Sequence, residues 1–144
     1  MNQPKQLCTF YLQEHLFGVE VGKVQEVIRY QEMTRIPLSP PVVAGLINLR
    51  GQIVTAIDLR HQLELPARAG DEPPMNVVIR RDDGPISLLV DEIGDVVEVD
   101  ELSFEDAPDT LSSRGREFIR GVYKLKERLL LLLDTDKTLT VLGP

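Results

Sequence analysis

Two histidines, His15 and His61, are the neutral-pH general bases that this 144-residue chain offers, and its single thiol is Cys8. His15 falls in a polar hairpin turn and His61 in a polar stretch after an aspartate, and neither has a nucleophile or carboxylate spaced to pair with it. No HxxxH or CxxC spacing and no phosphate loop occurs, so metal, covalent and nucleotide chemistry have no signature. Carboxylates are plentiful but spread over solvated turns rather than paired at apolar positions. The remaining candidate is Arg50, at the centre of "GLINLRGQIVTAIDLR" between two aliphatic runs. It is either a solvated strand end or a planar fork reserved for a carboxylate or backbone outside the chain.

Charge narrows the partners. The formal net charge is -7 and the pI about 4.8. Eleven carboxylates and no Lys or Arg lie between Arg81 and Arg114. Binding to a nucleic acid needs a basic face, and a single-strand platform needs aromatics, which make up only 5% of the chain. Nucleic acid is therefore not an expected partner. The polar start "MNQPKQ" predicts no secretory signal, and Leu129 to Leu133 is too short to span a bilayer, so no membrane insertion is expected. Cys8, alone in the alternating run "LCTFYL", reads as a small apolar side chain in a reducing compartment.

Leu7 to Leu12 and Leu16 to Val21 read as a hairpin around "QEH", and Met75 to Arg80 with Ile86 to Val90 as another around "DDG". Val21, Val24, Val27 and Ile28 recur at helical spacing and predict a helical turn or two. Pro37, Pro40 and Pro41 predict an extended, rigid connector. Gly45 to Leu49 and Gln52 to Ile57 are strands, with Gly51 allowing a positive φ or merely a tight turn. Asp58 and Asp134, each between a strand and a short helical stretch, are N-caps. "PARAGDEPP" is the best internal boundary.

The chain repeats itself. "VDEIGDVV" lies on "VGKVQEVI" at a spacing of 69 residues (90 − 21), and "GVYKLKERLLLLLDTDKTL" lies on "GLINLRGQIVTAIDLRHQL" at 76 (121 − 45). The surplus falls in the polar stretch "DAPDTLSSRGREFI". Lys126 and Glu127 occupy the places of Arg50 and Gly51. Two copies of hairpin, short helix, connector, hairpin and capped turn predict a pseudo-twofold pair of small β-units, each too small to stand comfortably alone.

The stretches "FGVEVGKVQEVI", "TRIP", "GLINLRGQIVTAIDLR" and "LLVDEIGDVVEV" resemble the CheW family of bacterial chemotaxis coupling proteins, over about Leu7 to Leu142. The resemblance implies a mainly β fold of two five-stranded Src-homology-3-like β-barrels with short helices and a shared hydrophobic core. The expected layout is one domain over 1–144, with the first barrel mainly 16–72, the second mainly 75–135, and the termini completing the fold. It implies no catalytic site and no cofactor. It implies a bridge between the cytoplasmic tip of a methyl-accepting chemoreceptor and the regulatory domain of a CheA-type histidine kinase, in the cytoplasm and linked to the membrane through receptor arrays. Carried over by position, the receptor-facing residues are Val21, Val24, Glu26 and Arg50, and the kinase-facing ones Met33, Thr34, Val43 and Ala44. The sequence stops at Pro144 without an extended helix after the last strand, so contacts made by such a tail are not expected, while the bridging role is. The same scaffold in a pilus or other chemosensory-like pathway is the nearest alternative.

Overall fold

The computed structural model describes residues 5–67, 70, 72–107 and 116–139. The strands in chain order are β1 (Lys5–Leu12), β2 (His15–Glu20), β3 (Val24–Ile28), β4 (Val43–Leu49), β5 (Gln52–Asp58), β6 (Met75–Ile79), β7 (Ile86–Val90), β8 (Glu92–Val99), β9 (Phe104–Glu105), β10 (Ile119–Lys124) and β11 (Leu129–Leu133). The short helices α1 (Leu59–Gln62) and α2 (Thr135–Leu139) follow β5 and β11. Central strands are apolar on both faces, as in "ISLLV" and "LLLLL", so β7 and most of β11 are buried.

One sheet runs β8-β1-β2-β11-β10-β9 and the other β3-β6-β7-β5-β4. Both predicted hairpins form, but each is incorporated into the sheet of the opposite repeat. β2 runs parallel to β11, with Leu131 beside Phe17, and β7 runs parallel to β5, with Thr55 beside Ile86. Those two pairs are the same contact displaced by the two repeat spacings. The repeat also holds at the caps: Asp58 N–H donates to the Val42 carbonyl and Asp134 N–H to the Phe118 carbonyl, both at 2.8 Å. The Asp58 carboxylate accepts from His61 N–H at 3.3 Å and that of Asp134 from Lys137 N–H at 3.0 Å, as an N-cap requires.

The exchange of hairpins moves the division of the chain away from the expected 16–72 and 75–135. The first compact unit joins Met1–Val21 to Ile93–Pro144; the second is Gly22–Glu92. In the second unit, Ile47, Leu49, Val54, Ala56, Val78 and Leu89 form a core; in the first, Leu7, Leu16, Val99, Tyr123, Leu130 and Leu132 do. The expected helical turn shrinks to a 3-10 turn over Val21–Lys23, and the chain then runs as β3. A bulge between Val24 and Glu26 inserts one residue, so apolar side chains fall three apart and mimic helical spacing. The proline connector is not extended. Ser39 N–H donates to the Ile36 carbonyl and Val43 N–H to the Pro40 carbonyl, which places Pro37 and Pro41 second in successive turns. Parts of the predicted boundary at 66–74 and of the polar stretch at 106–119 lie outside the described residues.

Because each half of the chain supplies the hairpin of the other half's sheet, fragments 1–72 and 75–144 are expected to stay unfolded alone and to regain β-structure when mixed. Circular dichroism and dispersed amide spectra of the separate fragments check this; either fragment folding cooperatively by itself contradicts the exchange.

Candidate functional site

β4 and β5 meet in a two-residue turn, Arg50-Gly51, flanked by the facing pair Leu49 and Gln52. Arg50 has φ 53° and Gly51 φ 88°. Two successive positive φ values define the hairpin turn that matches strand twist, and its usual occupants are Asn-Gly or Gly-Gly. Gly51 therefore meets a real conformational demand, and its N–H donates to Asn48 Oδ1 at 2.8 Å. Arg50 pays a left-handed backbone penalty of about 1–2 kcal/mol that asparagine or glycine largely avoids. In the other repeat Leu125 N–H donates to the Arg128 carbonyl around Lys126-Glu127. Neither of those residues is left-handed, so the strain belongs to Arg50 and not to the repeat.

Arg50 is aimed. Its two terminal nitrogens donate to the two Glu26 carboxylate oxygens at 2.8 and 2.7 Å, a bidentate fork. Glu26 lies on β3 and Arg50 beyond β4, at opposite ends of the strand order, so the pair also shows that the sheet curls round. The Glu26 side chain is 18% exposed and that of Arg50 74%. The hydrogen bond from Arg50 holds the Glu26 carboxyl below its ordinary range. Two of the five guanidinium donors are thus committed, and the rest of the group faces outward. Val24, half-buried opposite Ile79, lies two residues before Glu26. Val21, also half-buried, ends the amino-terminal segment of the first unit.

The other four sequence-derived residues gather at the far end of β4. Thr34 exchanges two backbone hydrogen bonds of 2.8 Å with Leu46, extending the sheet by one residue. Gly45 makes this possible: a Cβ there would lie 2.9 Å from the Thr34 carbonyl oxygen and 3.0 Å from Met33 Cβ. β4 is irregular between Val43 and Gly45, which places Ala44 on the bulge. Met33 and Ala44 pack against the core of this unit, so both do structural work as well as present surface. The first unit repeats the arrangement: Glu105 of β9 pairs with Val122, the counterpart of Leu46. Six residue steps lead from Ala44 to Arg50, about 20 Å of extended strand.

Arg60, in the turn capped by Asp58, forms the second bidentate pair. Its Nε donates to Asp91 at 3.0 Å, its Nη2 donates to the other Asp91 oxygen, and Nη1 donates to the Pro66 carbonyl at 2.8 Å. Both side chains are largely buried, at 13% and 14% exposed. The pair clamps α1 to the exit of β7; the basic "DLR" ending was the available signal. Burial pushes the Cys8 thiol up, which keeps it protonated and a poor nucleophile at neutral pH. Among the described residues no group of three or more His, Cys, Asp or Glu is placed to hold a metal ion. Among the same residues no helix is long and apolar enough to cross a membrane.

Residues 6–142 match the family model of the CheW-like domain. The chain is 32% identical to Chemotaxis protein CheW of Treponema pallidum over 92% of its own length and 80% of that protein's. It is 30% identical to Chemotaxis protein CheW of Bacillus subtilis, over 94% and 86%. The crystal structure of scaffolding protein TtCheW from Thermoanaerobacter tengcongensis superposes with a TM-score of 0.80 at 28% identity, covering 91% of this chain and 89% of that one.

Two outcomes follow from the paired charges. Glu26 has a lowered folded pKa, so its stabilisation is present above the unfolded carboxyl value of about 4.3 and is lost as pH falls through the folded value. Thermal melts should separate wild type from Glu26→Gln by a small margin at pH 7, and the margin should shrink as the pH falls below the unfolded carboxyl value; a difference that grows in acid contradicts the pair. Arg60→Ala leaves Asp91 largely buried without its fork and should cost about 1.5–3 kcal/mol in urea unfolding. A loss within about 0.5 kcal/mol, as at an ordinary surface site, contradicts the clamp.

Proposed function

The chain belongs to the CheW-like domain family, and from that membership we propose that it is a non-enzymatic adaptor. It links the cytoplasmic tip of a methyl-accepting chemoreceptor to the regulatory domain of a CheA-type histidine kinase, in the cytoplasm and tied to the membrane through receptor arrays. Relatives named as chemotaxis and scaffolding proteins support the role. The observation that carries it here is Arg50, a residue that its own turn disfavours, held in one orientation by Glu26 and left 74% exposed. A side chain kept at such a position is kept for what it contacts outside the chain.

In this reading Val21 and Val24 receive the apolar side of a receptor helix, while Arg50 and Glu26 fix its register at the rim. Met33, Thr34, Val43 and Ala44 face the kinase from the other end of β4. Separation along one strand allows both partners to be held together. Because Met33 and Ala44 also pack on the core, the exposed Thr34 is the cleaner probe of that second surface.

Arg50→Asn installs the dipeptide that this turn prefers, so the melting temperature should hold or rise by a few degrees. Co-sedimentation with receptor-containing membranes should weaken roughly ten- to a hundredfold. Unchanged receptor binding by this folded variant returns Arg50 to the role of a solvated strand end.

A further inference from the structure

The most exposed large apolar side chain among the described residues is Leu38, at 104% of its reference area; the next, Leu102, is at 88%. Its backbone is also anomalous, with φ 65°. Leu38 is the third residue of the turn closed by Ser39 N–H on the Ile36 carbonyl, with Pro37 second, and a positive φ at the third position is the place for glycine or asparagine. A branched apolar side chain with a left-handed backbone and full exposure contradicts both local preference and burial. Such outliers point toward function.

The surroundings make the side chain a rigid projection. Pro37, Pro40 and Pro41 fix their own φ angles and lower the entropy lost when the turn is immobilised by a partner. Ile36 at its base is 37% exposed and widens the apolar tip. The turn is continuous with the surface assigned to the kinase: Thr34 precedes it by two residues, and the Pro40 carbonyl accepts the Val43 N–H at 2.9 Å.

We infer that Leu38 is the anchor of the kinase-facing surface, inserting as a single apolar knob into a recess on the regulatory domain of the kinase. The inference rests on the adaptor reading. It makes the tip of the proline turn, rather than Met33 or Ala44 alone, the residue that sets affinity for the kinase.

The test uses Leu38→Asn and Leu38→Gly in the full chain, since both residues suit the turn. Each should hold or raise the melting temperature. Affinity for the isolated kinase regulatory domain, measured by titration calorimetry, should fall by roughly tenfold or more, while receptor co-sedimentation stays at the wild-type level. If wild type binds the kinase domain and both variants bind it equally well, the anchor is refuted and the adaptor reading stands. If wild type does not bind the kinase domain at all, the adaptor reading fails first. Self-association of wild type that the variants abolish, with kinase affinity unchanged, makes a second copy the occupant and overturns the assignment.

Discussion

Parallel pairing between the two repeats is the constraint from which the rest follows. A parallel pair cannot be closed by a tight turn, so the chain must travel between the two strands. Here the partner comes from the opposite half of the sequence: β2 waits for β11 and β5 for β7. Neither repeat can therefore complete a sheet from its own residues. The capped turns at Asp58 and Asp134 then end the strands in equivalent places, each tied back to the residue before its hairpin.

That frame makes β4 a ruler. At one end the strand closes in a turn whose strain is concentrated on Arg50; at the other it bulges at Ala44 and is extended by Thr34. The curl of the sheet brings β3 round to the Arg50 end, where Glu26 meets the guanidinium. An exposed pair of this kind adds little stability. Its consequence is directional, because a long flexible side chain is held in one pose before any partner arrives. The largely buried Arg60–Asp91 pair has the opposite character: it fastens the scaffold and offers little to a partner.

Local features were legible in the sequence. The hairpins and both aspartate caps follow from alternation and spacing within a few residues, and the repeat from self-similarity. Val24 to Ile28 misled, because a bulge converts strand alternation into helical spacing. Pro37, Pro40 and Pro41 misled because proline suits the second position of a turn as well as an extended chain. The unit boundary was illegible, since alternation does not say which strand a hairpin will join. Arg50 and Glu26 were each named from the family resemblance, but their mutual fork was not, as 24 positions and a curled sheet separate them. Left-handed Leu38 had no sequence signal, because the turn carries neither Gly nor Asn.

The proposed adaptor role requires that one small β-protein hold two partners at once, by surfaces about 20 Å apart along β4. Sedimentation of receptor-containing membranes with the isolated kinase regulatory domain, with and without this chain, tests it most directly. The kinase domain is expected to pellet with the membranes only when the chain is present, and receptor-bound chain is not displaced by excess kinase domain. Competition between receptor and kinase for the chain, or pelleting of the kinase domain to the same extent without it, contradicts a bridge that holds both.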